Sequence, residues 1–487
     1  MGDQTGDHGL YIGGFVFVVM LALGSLATLG TRRHSDSRWV QWYIFLTAAC
    51  IRFSTGFAIY EWGLIRILKD EDGTGWAGGA DLARSWQESS LSLWELPGRV
   101  AGVFQGQHEG YRYLLAVLYF ITGSPSRLSA VALNAVFGAL ACVLVFRVAA
   151  SLFDGHVARR VALWTCFWPS LIIWSSLTVK EPVVILLEAC ALYACVRLNE
   201  SGWSPRHLFL AAAVSGLLIP FRFYAAIVSL LVMSVTVGAL GRRALRENRL
   251  FAPGTRRASA RVLLTVILSL TPLLLTGHGL VAYREAMNQF GVPFVEDFRE
   301  RASTGGAAKG AGSGVPQAYN LRTVGGFAAA LGVGASHLLL APFPWQFARA
   351  SSLRMLLTLP ELLIWWWLLV VAVIPGACYA LRRRFGDLRP LVLFLLGFGV
   401  LYSLLFANVG LVFRQRAQLL PWLLIFGSVG WGVRALPRCG SRPAAEGPGD
   451  LPDRGGRGAP CVAVPTGSLV VSEATSTGGS QLPQRTQ

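Results

Sequence analysis

Long apolar runs separated by short arginine-bearing turns set the pattern of this chain, and about 20 consecutive apolar residues are enough for a helix to cross hydrocarbon. Runs that reach or approach this length lie at about 10–30, 39–60, 127–153, 161–177, 183–198, 262–280, 356–381, 390–409 and 417–435. The run over 208–240 is longer, and its far side carries Arg242, Arg243, Arg246 and Arg249. One span there would put that arginine cluster on the wrong side, because basic loops stay cytoplasmic. The pattern therefore predicts a hairpin with Pro220 to Tyr224 at its outer tip. Counting both arms gives eleven spans, with the N-terminus outside and the C-terminus inside.

Two apolar stretches do not fit as spans. Residues 112–123 are too short and rich in Tyr, which predicts a helix lying in the outer interface. If 326–342 crossed, the next helix would leave Arg382, Arg383 and Arg384 outside, so this stretch is read as interfacial or re-entrant. The expected fold class is an all-α polytopic membrane protein of about eleven transmembrane helices with external juxtamembrane helices. An extra N-terminal helix and basic turn occupy 1–38. The main membrane domain covers 39–438, with external loops at 69–112 and 281–325. The Pro/Gly/Ser-rich tail, 439–487, reads as disordered and cytoplasmic.

Composition sharpens this reading. The 487 residues are 53% hydrophobic and only 14% charged, with a mean hydropathy of +0.51, which excludes an ordinary soluble protein. The net charge of +17 comes from Arg clusters between apolar runs. That distribution orients helices, so no nucleic-acid partner is expected. The expected location is the cell (plasma) membrane, with membrane lipids as partners. The eight Cys lie in apolar runs or in the tail, so neither disulfides nor a CxxC metal site is expected.

With this topology, four charged groups share the outer side. The first is Asp70, Glu71 and Asp72, with Asp81 further along the same loop. The others are Lys180 with Glu181, Arg222 at the hairpin tip, and Arg414 with Arg416 ahead of the last helix. Three adjacent carboxylates at the mouth of a membrane helix are costly and imply a role. A carboxylate there can take a proton from a hydroxyl, and Arg or Lys can hold phosphate. Arg414 and Arg416 are two residues apart and do not share a helical face, so a common role needs an extended turn. His108 beside Glu109 offers too few ligands for a metal, and none is assigned. No cofactor is legible in the sequence.

These segments resemble the C-type (GT-C) integral-membrane glycosyltransferases, in particular bacterial relatives of protein O-mannosyltransferases and aminoarabinose transferases. Asp72-Gly73-Thr74-Gly75-Trp76-Ala77-Gly78-Gly79-Ala80 is similar to a first-loop D-x-x-x-Y-x-x-x-A pattern, with Trp in place of Tyr. His108-Glu109-Gly110-Tyr111-Arg112-Tyr113-Leu114-Leu115 resembles an H-x-x-x-Y-x-L-L segment, without the usual prolines. Asn134, the run from Pro169 to Pro182, and Arg414, Arg416 and Pro421 resemble later family elements. The likeness covers about 39–240 and 390–435.

The resemblance implies transfer of a sugar, with inversion, from a polyprenyl-phosphate donor to a glycan, lipid or protein acceptor outside the cytoplasm. Asp72 matches the catalytic position, with Glu71 and Asp70 as alternatives. Lys180, Glu181, Arg222, His108, Arg414 and Arg416 are the candidate substrate-binding residues. A polysaccharide polymerase or ligase would instead show one dominant late loop. A flippase or transporter would show mid-helix charges and paired broken helices; Arg52, inside the second helix, is the main hint of that kind.

Overall fold

The computed structural model describes residues 7–30, 35–68, 73–105, 109–246, 291–304, 319–349 and 358–435. All of these belong to one compact unit, Met1–Pro437. Among the described residues the regular structure is entirely helical. Among the described residues, five helical runs are long and apolar enough to cross a membrane: Gly9–Leu29, Ser37–Glu61, Arg127–Leu152, Phe223–Arg243 and Leu359–Leu404. The predicted span at 262–280 lies outside the described residues.

The chain opens with α1 (Asp7–Leu29) and α2 (Ser35–Glu61), followed by the short α3 (Ile65–Leu68). Three further helices come next: α4 (Gly73–Glu88), α5 (Leu96–Val100) and α6 (Gly110–Thr122). The short apolar stretch that predicted an interfacial helix is α6. It packs along α4 and ends at Gly123, whose φ of 73° suits a residue without a side chain.

The bundle is organised around α7 (Arg127–Leu152). Its sequence is apolar on every side, which leaves no face for water and favours a central position. It packs against α1, α2, α8 (Gly155–Phe167) and α10 (Glu181–Ser201). The N-terminal helix is thus part of the bundle: Phe17 of α1 stacks on Phe53 of α2 at 4.0 Å, and Ser126, which caps α7, donates to the Gly9 carbonyl.

The predicted fourth span, 161–177, is broken. It consists of α8 and a short α9 (Pro169–Ser175), separated at Trp168. Pro169 has no N–H, so the Thr165 carbonyl loses its helical donor. The Cys166 carbonyl loses its own because the Ser170 amide donates to Glu361 Oε2 (2.8 Å). Arg52 supplies both replacements, donating to the Thr165 and Cys166 carbonyls at 3.2 Å each. Glu361, which also accepts from Trp168 Nε1 (2.7 Å), closes the donor side of the break. A cation thus sits at the carbonyl end of α8 and an anion at the amide end of α9, as helix dipoles require. Inside a bilayer each freed backbone group must find such a partner.

The predicted hairpin is present as α11 (Pro205–Leu218) and α12 (Phe223–Arg246), joined by a turn that holds Arg222. Beyond it lie α13 (Val292–Thr304), α14 (Val324–Leu340) and α15 (Pro344–Arg349). The ambiguous stretch 326–342 is the continuous helix α14, packed on the helices that follow it. A side chain at Gly334 would collide with the Ser403 backbone, so the two helices touch through a glycine.

The last elements are α16 (Leu359–Leu368), a π-helical turn (Leu369–Val373), α17 (Ile374–Leu404) and α18 (Val409–Ala435). The expected spans at 356–381 and 390–409 are two helical segments that meet at a kink at Arg384 (φ −136°, ψ 31°), within the basic turn expected between them. Arg384 Nη1 donates to the Leu152 carbonyl (3.0 Å), which fixes the bend against the end of α7. The expected turn at 413–416 is helical, because Asn408 starts α18 early: its Oδ1 accepts from the Gly410 amide (2.8 Å).

The bundle therefore has two distinct ends. At one, the bend near Arg384 meets the end of α7, and Asn199 donates to the Gly386 carbonyl (3.1 Å). At the other end gather α4 and α6, the turn after α9, the hairpin turn and the start of α18. This second end carries the candidate site.

Candidate functional site

The candidate site grows from the loop between α9 and α10, which the side chains of Asn134 and Tyr60 pin. Asn134 Nδ2, fully buried in α7, donates to the Leu177 carbonyl (2.7 Å) and the Val179 carbonyl (2.9 Å). The same nitrogen lies 3.0 Å from the Tyr111 hydroxyl of α6. The Tyr60 hydroxyl lies 3.1 Å from Thr178 Oγ1 and accepts from the Thr178 amide at 3.2 Å. Clamped on both sides, the loop delivers Lys180, half-buried, and Glu181, the first residue of α10.

Glu181 is the centre of a buried charged cluster. Its Oε1 lies 3.2 Å from Arg222 Nη2 and 3.9 Å from Arg414 Nη1. The Glu181 side chain is 2% exposed, Arg222 5% and Arg414 28%, so water screens the first pair hardly at all. The Arg222 guanidinium also lies over the Tyr224 ring at 5.6 Å, and Arg414 over Trp174 at 5.2 Å. Glu181, Arg222 and Arg414, assigned from three separate segments of sequence, thus converge on one carboxylate oxygen.

Sequence reasoning missed the inner half of this cluster. Glu188 is seven residues after Glu181, nearly two full turns, so both lie on one face of α10. It is 1% exposed and within electrostatic reach of Arg222 and Tyr402. Neither of its carboxylate oxygens has a hydrogen-bond partner among the described residues. The Tyr402 hydroxyl donates to Gln418, joining α17 and α18 beneath the arginines. The i, i+7 spacing of Glu181 and Glu188 in the apolar stretch of α10 ahead of Arg197 is a visible signal. Nothing in the sequence marked Tyr402 or Gln418.

Arg416 departs from expectation. In a helix it points away from Arg414, and it donates to the Ala341 carbonyl (2.7 Å) beyond the end of α14. Trp365 and Trp366 donate to the neighbouring Leu339 and Leu340 carbonyls at 2.6 and 2.9 Å. Arg416 therefore braces α14, and the paired Arg414–Arg416 clamp is not formed. The difference is measurable. Arg416→Met should cost about 1–3 kcal/mol, the usual penalty for a buried carbonyl left without its donor. Arg414→Met should cost less, since its ion pair is long and partly exposed. Denaturant titration of the detergent-solubilised protein should separate the two variants; equal losses would contradict this division.

Asp70, Glu71, Asp72 and His108 lie outside the described residues, but their flanks are well placed. Asp72 immediately precedes α4, and Arg112 Nε of α6 donates to the Gly78 carbonyl of α4 (3.2 Å). The Gly110 amide, two residues after His108, donates to the Pro220 carbonyl (3.0 Å), two residues before Arg222. A side chain at Gly110 would press on the Phe221 ring at 2.8 Å, so glycine permits this approach. Asp81, by contrast, is exposed and paired with Arg84 at 3.1 Å. Among the described residues no three His, Cys, Asp or Glu side chains come together as a metal site. The chain matches no protein-family model and no curated protein.

Proposed function

We propose that this chain is a multi-pass membrane glycosyltransferase that moves a sugar from a polyprenyl-phosphate donor to a glycan, lipid or protein acceptor on the extracytoplasmic side. The observation that carries this reading is the seat of the first loop on the hairpin turn. The hydrogen bond from Gly110 to Pro220 brings the end of the acidic loop beside Arg222, where Glu181 and Arg414 also converge. Candidate phosphate-binding groups from three distant segments and the described end of the acidic loop then share one end of the bundle. With eleven spans and the arginine turns inside, that end faces outward.

In this reading Asp72 is the general base, with Glu71 and Asp70 as its neighbours in the run. It takes the proton of the acceptor hydroxyl as that oxygen attacks the anomeric carbon. The bond from the anomeric carbon to the phosphate oxygen breaks, and the polyprenyl phosphate leaves with its charge increased. Arg222, Arg414 and Lys180 face that charge and stabilise it more in the transition state than in the bound donor. His108 is assigned to the acceptor in this reading. Arg416 has no part in the clamp.

Arg52, the residue that hinted at a transporter, binds the carbonyls of the α8–α9 break and gives that alternative no further support. The decisive experiment combines deletion with reconstitution. Cells without the protein should accumulate one lipid-linked sugar, and the purified full-length chain should transfer that sugar from its lipid carrier. Unchanged lipid-linked sugars together with no transfer would rule the reading out.

A further inference from the structure

We infer that Glu181 is the resident occupant of an anion site formed by Arg222 and Arg414, and that a phosphate monoester binds by displacing it. This rests on the reading of these two arginines as phosphate ligands and adds how the site is held before the ligand arrives.

The geometry is that of an occupied but poorly filled site. Two guanidinium groups converge on one oxygen of one carboxylate, at 3.2 and 3.9 Å. Arginine and carboxylate at their best form two parallel hydrogen bonds, with both oxygens engaged. Here Glu181 Oε2 is buried without a hydrogen-bond partner among the described residues, as are Arg222 Nε and Nη1. Buried polar atoms are seldom left this way, and when they are, a missing ligand or water is a standard reason. The donors unused by Glu181 belong to the same guanidinium that already holds it. A phosphate monoester carries up to two charges and three terminal oxygens, so it satisfies two arginines better than one carboxylate does. The amide end of α10, where Glu181 sits, adds a further favourable field for an anion.

The neighbouring groups set the balance. Lys180 precedes Glu181 on α10, and Glu188 lies two turns deeper on the same face. Tyr224 comes from α12, Tyr402 and Gln418 from α17 and α18, and Trp174 from α9. Of these, Lys180 adds positive charge, and phosphate must still contend with Glu181 itself. Phosphate and an ionised Glu181 cannot share the space between the arginines without strong repulsion. Binding therefore swings the Glu181 side chain away, and the arginines stay ordered and neutralised until the polyprenyl phosphate released from the donor, which is the monoester, takes its place.

The test is binding, with no sugar present. Purified full-length protein in nanodiscs is titrated with farnesyl phosphate in one arm and with inorganic phosphate in the other. Glu181→Gln should bind farnesyl phosphate at least fivefold more tightly than wild type, because the competing charge is gone. Glu181→Asp, which draws the carboxylate back from Arg414, should show a smaller gain and serves if the Gln variant fails to fold. Arg222→Gln should weaken binding at least tenfold. A gain in both arms assigns the site to phosphate in general, and a gain with farnesyl phosphate alone assigns it to the lipid. Weaker or unchanged binding in both Glu181 variants, or no binding by any form, overturns the inference. Binding as expected without any sugar transfer would leave this inference standing and remove the proposed reaction.

Discussion

Arg52→Leu is expected to destabilise the protein by about 3 kcal/mol or more, the largest effect foreseen for any residue outside the charged cluster. Arg52 is 1% exposed and donates to the carbonyls of Ala48, Thr165 and Cys166. Leucine fills a similar space and is at home in an apolar bundle, so volume is not the issue. The cost comes from the Thr165 and Cys166 carbonyls, each worth about 1–3 kcal/mol when buried without a donor. Ala48 keeps its own helical partner and adds little. Thermal unfolding in detergent should show the loss, and Arg52→Lys should recover only part of it, since one ammonium replaces a two-pronged donor. A wild-type midpoint in Arg52→Leu would mean that the break is held elsewhere. It would also reopen the possibility that this buried cation serves transport.

Asp72→Asn should lower sugar transfer by about 10²–10⁴-fold, the typical contribution of a positioned general base. Asparagine keeps the size and polarity of the side chain but cannot take the acceptor proton. Expression and unfolding midpoint should stay near wild type, which separates this variant from a folding defect. Asp81→Asn is the internal control: its carboxylate is exposed and already paired with Arg84, so transfer should change little. Both are read with the lipid-linked sugar found in the deletion strain. Near-normal transfer by Asp72→Asn would shift the base to Glu71 or Asp70.

The helical class, the positions of most long helices and the hairpin at Arg222 were legible in the sequence, because a bilayer imposes simple rules. Apolar length marks a helix, and clustered arginines mark the side that stays in the cytoplasm. Those rules alone put Glu181, Arg222 and Arg414 at one end of the bundle. They act on local composition, so they say nothing about which residues touch.

Everything finer depended on partners distant in the chain. Arg52 reads in the sequence as a functional mid-helix charge, whereas its partners are the Thr165 and Cys166 carbonyls freed at the α8–α9 break, more than a hundred residues away. Arg414 and Arg416 looked like a pair, but Asn408 begins the helix early and sends them to opposite sides. Glu188 joined the site only because α10, α12, α17 and α18 meet there, and Tyr402 and Gln418 gave no sign of it. Hydrophobic patterning could determine which segments enter the membrane. The pairing of each buried polar group was decided by tertiary packing, because in a medium without water a polar atom must take its partner from whatever helix lies against it.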